Sequence, residues 1–241
     1  MSPSAVAPDL HQLAGAVRPL ALAGERILPV SPALESLLPD RGLRRGSVVA
    51  VTGRAGATSL ALALIAPASA GGSWCAAVGV GRSSLGLAAA AEAGVVLERF
   101  PVVSASSGNG PGGWAWVVAA LLDAIDIIVI WPPSHLRATD VRRLTARGRE
   151  RGAVLVVADA GARWPVPVDV TLCASKVEWQ GIGQGHGRLE ARSIEVVAAG
   201  RGAAARERRA QLWLPVEPFR FMHSESCDRA RIHPDHSLTG A

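Results

Sequence analysis

Short apolar runs alternate with segments rich in alanine and leucine from about residue 47 to residue 158. The runs predict buried strands at Ser47–Val51, Trp74–Val80, Asp126–Trp131 and Ala153–Ala158. They lack the apolar–polar alternation of a half-buried strand, so we expect both of their faces to be covered. Strands of this kind, alternating with helices, are typical of a parallel sheet in an α/β protein.

Helical spacing of apolar residues fills the segments between these runs. It predicts helices at Ser84–Gly94, Gly113–Asp123 and Leu136–Arg151. A further helix is predicted at Leu60–Ala66, and we expect Pro67 to end it because proline lacks a backbone N–H. Ahead of the first strand, residues 9–17 predict a short helix, and Ser31 with Glu35 predicts a brief capped helix over 31–38.

The pattern changes after residue 167. Mixed-polarity strands are predicted at Val168–Trp179 and Arg188–Val197, separated by the glycine-rich turn QGIGQGHG, and an extended edge follows at Arg206–Leu214. We therefore predict an α/β fold with a mostly parallel sheet flanked by helices and a C-terminal antiparallel extension. The predicted boundaries are a lead-in over residues 1–30, one domain over 31–220, and a flexible tail without periodicity over 221–241.

Composition favours a folded, cytoplasmic protein. The 241 residues are 49% hydrophobic and 19% charged, and no apolar stretch approaches the roughly 18 residues of a membrane span. The N-terminus has no basic segment followed by an apolar core, and three cysteines form no disulfide framework. The net charge of +5 allows an acidic partner such as nucleic acid without requiring one.

Residues Ser47–Ser69, SVVAVTGRAGATSLALALIAPAS, have the strand, glycine-rich turn and helix of a phosphate-binding loop. In the best register Gly56 and Thr58 match the motif, but Ala57 stands where the phosphate-binding lysine is required. The first glycine falls on Val51. We interpret the turn as a vestigial nucleotide site; its candidate residues are Gly53, Arg54, Gly56, Thr58 and Ser59.

The carboxylates required for ATP hydrolysis are missing as well. Hydrolysis needs a carboxylate at the carboxyl end of a neighbouring strand to hold magnesium. Asp126 lies at the wrong end of its strand, and Trp131 stands where that carboxylate belongs. Asp159 does end a strand, but with Arg163 close behind it we interpret it as a turn or ion-pair residue. We therefore predict no catalytic residue and no cofactor.

Three further groups of residues bear on function. The densest basic patch contains Arg201, Arg206, Arg208 and Arg209, helped by Arg188 and Arg192. Both a phosphate-binding role and a solvated face remain open for it. Trp213 and Phe219 follow it, and aromatic residues beside basic ones suit a single strand or a protein partner, or else cover the sheet edge. The tail residues His223, Cys227, His233 and His236 match no compact metal motif, so no metal is predicted.

The segment LESLLPDRGLRRGSVVAVTGRAGATSLALAL resembles the entry into a RecA-type core, where a leucine-rich helix precedes the phosphate-loop strand. The later pieces VGVGRSSLGLAAAAEAGVVLERF, LLDAIDIIVIWP, RERGAVLVVAD and RRAQLWLPVEP follow in the order of degenerate RecA-like proteins of actinobacteria. Over about residues 31–220 the chain thus resembles the ImuA-type accessory factors of the inducible mutasome.

This resemblance implies a RecA-like P-loop-type core without ATPase activity. It implies a role in translesion DNA synthesis and induced mutagenesis, beside an ImuB-like inactive Y-family polymerase homologue and an error-prone replicative-type polymerase. Contact with that homologue would involve the C-terminal region, where Trp213, Phe219 and Phe221 are the candidate partner residues. Two alternatives stay open: a divergent ATPase that uses Arg54 and Asp159, and a DNA-binding module that uses the arginine patch.

Overall fold

The computed structural model describes residues 26–53, 55–80, 85–108, 110–159, 164–182 and 187–214. The predicted helix over 9–17 and the predicted tail lie outside these residues. The strands are β1 (Ile27–Leu28), β2 (Leu43–Arg44), β3 (Val48–Thr52), β4 (Cys75–Val80), β5 (Val102–Ala105), β6 (Ile127–Trp131), β7 (Val154–Asp159), β8 (Val170–Ile182), β9 (Gly187–Gly200) and β10 (Arg208–Leu214). The α-helices are α1 (Pro32–Glu35), α2 (Ala57–Ala70), α3 (Leu87–Glu92), α4 (Trp114–Leu121) and α5 (Ala138–Arg151).

Eight strands form one sheet in the order β10-β9-β8-β3-β7-β6-β4-β5. Neighbouring strands in the part β8-β3-β7-β6-β4-β5 are all parallel. Strand β9 is antiparallel to both β8 and β10. The prediction of a largely parallel sheet flanked by helices is confirmed, and the three-stranded antiparallel extension lies at one edge. The short strands β1 and β2 form a separate antiparallel pair.

Apolar residues of the sheet divide between two cores, one on each face. The larger core packs alternate residues such as Val49 and Val51 of β3 against Leu60 and Leu64 of α2. The smaller core packs the opposite face of the central strands against α4 and α5. Because both faces are covered, the central strands consist of unbroken apolar residues, as the sequence pattern indicated.

The prediction that Pro67 ends the helix after the turn is wrong. Helix α2 continues through Pro67 to Ala70, and the N–H of Gly71 donates to the Pro67 carbonyl oxygen at 2.9 Å. Proline removes one N–H donor, but Ala66, Ala68 and Ser69 are buried, so packing outweighs this local loss.

The predicted N-terminal cap of α1 is also wrong in detail. The helix forms, yet the Ser31 hydroxyl makes no capping hydrogen bond, and the Glu35 carboxylate accepts instead from the Arg41 Nε at 3.0 Å. Glu35 stands four residues after Ser31, one position beyond the N3 residue of a capping box, and its carboxylate pairs with Arg41 instead of closing the helix start.

In the part of the chain that the structure describes, no helix is long and apolar enough to cross a bilayer.

Candidate functional site

The turn between β3 and α2 lies at the carboxyl end of the central strand. Strand β3 pairs in parallel with β7 on one side and β8 on the other, so the turn sits in the middle of the sheet edge. In open parallel α/β sheets this is the edge at which ligands bind. Gly56 adopts φ 85° directly before α2, and Ala57, at the position of the missing lysine, is the first helical residue. Thr58 and Ser59 complete the first turn.

The glycines of this turn are explained by their positive φ angles, and Gly53 also by its close approach to β8. Gly53 has φ 140°, and a Cβ there would overlap the Ala174 carbonyl oxygen and lie 3.0 Å from the Ala174 Cβ. A Cβ on Gly56 would lie 3.5 Å from the Ile194 side chain. Both positive φ angles favour glycine whether or not a phosphate binds. The glycines are therefore no evidence of nucleotide binding by themselves.

Arg192 of β9 reaches the first turn of α2. Its Nη2 donates a hydrogen bond to the Ser59 hydroxyl, and its guanidinium carbon lies 5.1 Å above the centroid of the Trp179 ring. Partial burial lowers the pKa of Arg192 from its ordinary value of 12.5, but an arginine in such a setting stays charged at neutral pH. A fixed cation thus lies beside the turn that lacks its lysine.

Sequence reasoning grouped Arg192 with the basic patch and missed this contact. The available signal was the alternation along β9, in which Arg192 shares a face with the buried Ile194 and Val196. Its register against Trp179 depends on a bulge between Ser175 and Glu178, which the sequence did not reveal.

The positions expected to hold catalytic carboxylates have other roles where the structure describes them. Trp131, at the end of β6, packs against the larger core. Asp126 lies at the amino end of the same strand, where it accepts from Arg45 Nη1 at 2.7 Å and from the Trp74 backbone N–H at 3.0 Å. Asp159 ends β7 opposite Thr52. The Asp159 side chain and Arg54 lie outside the described part.

The four arginines of the predicted DNA-binding patch point to different surroundings. Arg208 and Arg209 are neighbours on β10 and therefore face opposite sides of the sheet. Arg209 forms ion pairs with Glu207 at 2.7 Å and Glu195 at 3.6 Å, whereas Arg208 donates to the Ala203 carbonyl oxygen. Arg206 is exposed, and Arg201 lines a groove at the amino end of the sheet. Their binding of DNA stays a prediction.

Of the candidate partner residues, only Trp213 is described; Phe219 and Phe221 lie outside the described residues. Trp213 is half-buried on β10, opposite Ser193 of β9. It lies on the same face of the strand as Arg209 and Gln211, while Leu212 and Leu214 face the larger core. This face of the antiparallel extension carries mixed polar and aromatic groups.

No group of three or more potential metal ligands is present among residues 26–214 as far as the structure describes them. The tail histidines and Cys227 belong to the residues that it does not describe.

Comparison with known protein families gives a match for the central part of this chain. A family model, the MT3502 N-terminal domain, matches residues 36–166, more than half of the 241 residues. The match spans β2 to β7 and therefore includes the turn before α2, whereas the antiparallel extension lies beyond it. No curated protein matches the chain.

Proposed function

We propose that this chain, which belongs to the MT3502 N-terminal domain family, is a RecA-like accessory protein that lacks ATPase activity and acts in translesion DNA synthesis. Its partner in this proposal is an ImuB-like inactive Y-family polymerase homologue. An error-prone replicative-type polymerase would act beside them. The parallel sheet, with a glycine turn and helix after its central strand, supports the RecA-like core.

The observation that carries the proposal is the use of the turn's groups for internal contacts. Gly53 is pressed against Ala174, Ser59 accepts from Arg192, and Ala57 offers no charge. Phosphoryl transfer depends almost entirely on placed cations and carboxylates. We therefore infer that the turn has a structural role and that the protein acts by binding other molecules.

The partner contact can be tested by capturing the tagged chain with its polymerase homologue. Truncation after Leu214 keeps β10, whose Leu212 and Leu214 belong to the larger core, and removes Phe219 and Phe221. We expect the full chain to bind and the truncated chain to lose binding while retaining its melting temperature. Equal binding by both forms would remove the tail from the interface, and no binding by the full chain would contradict the proposal.

Nucleotide binding is the second candidate function, and the position of Arg192 favours it. The N-terminus of α2 carries a partial positive charge, and a guanidinium beside it strengthens the attraction for an anion. Titration calorimetry with ATP and magnesium separates the two functions. The accessory role predicts no heat at millimolar nucleotide. Binding that disappears in Arg192→Ala would instead support the nucleotide site.

A further inference from the structure

A groove of about 560 Å³ lies at the amino end of the sheet, opposite the turn before α2. Three arginines from separate parts of the chain line it: Arg44 of β2, Arg149 in the last turn of α5, and Arg201 after β9. A second cavity of about 290 Å³, which Arg45 also lines, adjoins it and shares Arg44 and Arg149. The two cavities, which share part of their walls, are here together called the amino-edge groove.

Backbone contacts hold the three arginines in place. The N–H of Arg201 donates to the Asp169 carbonyl oxygen at 3.1 Å, and the N–H of Asp169 donates to Val48 at 2.9 Å. A Cβ on Gly46 would lie 3.1 Å from the Arg149 Cα, so the turn after Arg44 packs directly on α5. The backbone segments that carry these arginines are therefore held against the rest of the fold.

The positive charge of this groove is only partly neutralised within the protein. Arg44 and Arg201 are exposed, and neither side chain has an ion-pair or hydrogen-bond partner among the described residues. Arg149 lies 3.9 Å from Asp169, whose other carboxylate oxygen accepts from the Val48 N–H at 2.8 Å. Asp40 lines the groove as well. The nearby Arg45 differs, because it is paired with Asp126 at 2.7 Å.

We propose that the amino-edge groove binds the phosphodiester backbone of DNA. Guanidinium groups from three separate parts of the chain, lining two cavities with shared walls, suit successive phosphates better than one small anion. No aromatic side chain is among the described residues that line the groove, so base stacking contributes little and binding is insensitive to sequence. The site is independent of the polymerase partner and of the turn before α2. It groups Arg201 with Arg44 and Arg149 rather than with Arg206, Arg208 and Arg209.

The test uses the full chain with a fluorescein-labelled oligodeoxythymidine and, in a parallel arm, a labelled duplex. Anisotropy is measured from about 50 to about 200 mM salt, where phosphate contacts show their salt dependence.

The test variant carries Arg44→Gln, Arg149→Gln and Arg201→Gln. The control variant, with an equal change in charge, carries Arg137→Gln, Arg142→Gln and Arg143→Gln, which are exposed residues near the start of α5. A third variant, Arg206→Gln with Arg209→Gln, tests the patch expected from the sequence.

We expect the test variant to bind about tenfold to a hundredfold more weakly, and its slope of log K against log salt to fall by about 2 to 3. The control variant should bind nearly as the unaltered chain does. Equal weakening of test and control, selective weakening of the third variant, or no binding by the unaltered chain at about 50 mM salt would overturn the proposal. Arg201→Glu alone, at an exposed turn, should weaken binding while leaving the melting temperature unchanged.

Discussion

Arg192 of β9 donates a hydrogen bond to the Ser59 hydroxyl in the first turn of α2. The contact joins two residues 133 positions apart and binds the antiparallel extension to the helix after the central strand. Trp179 of β8 lies under the same guanidinium. The antiparallel extension follows the residues that the family model matches. Apolar packing and the Arg192 side chain both connect it to those residues.

A double-mutant cycle on Arg192→Ala and Ser59→Ala should detect this coupling. Each single variant should lower the free energy of unfolding by about 1 kcal/mol, because each removes a partly buried hydrogen bond. The double variant should lose less than the sum, with a coupling energy of about 0.5 to 1.5 kcal/mol. Urea unfolding followed by circular dichroism measures all four proteins. Strict additivity would show that the two side chains do not interact in solution.

Replacing Gly53 with alanine should destabilise the fold more than the backbone angle alone explains. A positive φ costs alanine about 1 to 3 kcal/mol, and at Gly53 the added methyl also meets the backbone of Ala174. Gly72→Ala is the matched control, since Gly72 has φ 101° and open space around its Cβ position. Chemical denaturation should therefore show a larger loss for Gly53→Ala. Similar losses would mean that the turn can move away from β8.

The sequence predicted the central sheet well because its strands are buried on both faces and their apolar runs are unambiguous. It placed Asp126 correctly at the amino end of β6, since strand direction alone decides that point. It failed at Pro67 and Arg192, where the outcome depends on what packs around the residue. Burial carries α2 past Pro67, and a bulge in β8 sets Trp179 opposite Arg192. Neither packing nor register is encoded in a local pattern.

Acid should weaken the fold partly through Glu195 of β9. A hydrogen bond from Lys176, at 2.6 Å, and the charge of Arg209 hold the pKa of Glu195 below its ordinary value of 4.5. The stabilising contribution is therefore complete above pH 4.5 and is lost as the pH falls through the lower pKa of the folded state. Unfolding measured from neutral to acidic pH should show a shallower acid decline in Glu195→Gln.

The control for this pH dependence is Glu98→Gln, which removes an exposed carboxylate for which no ion pair or hydrogen bond is found among the described residues. Its acid decline should match that of the unaltered chain. If Glu195→Gln and Glu98→Gln behave alike, the pairing with Lys176 does not contribute in solution. Because Glu195 lies at the protein surface, added salt should reduce the difference between the two variants.

Cys75 and Cys173 should differ sharply in their reaction with a disulfide reagent such as DTNB. Burial, helped by the negative charge of Asp126, raises the pKa of the Cys75 thiol to about 12, whereas Cys173 is exposed on β8. Only a thiolate reacts, and at pH 8 a thiol with that pKa is ionised in about one molecule in ten thousand.

The measurement is best made in a Cys227→Ser background, because Cys227 lies outside the described residues. We expect one thiol to react quickly in the folded protein and a second only after urea unfolds it. Adding Cys173→Ser should abolish the fast reaction and leave the slow one. Since the sulfur of Cys75 is shielded by the fold, its reaction rate should follow the population of the open state as urea is raised. Fast modification of Cys75 in the folded protein would show that the amino end of β4 opens readily.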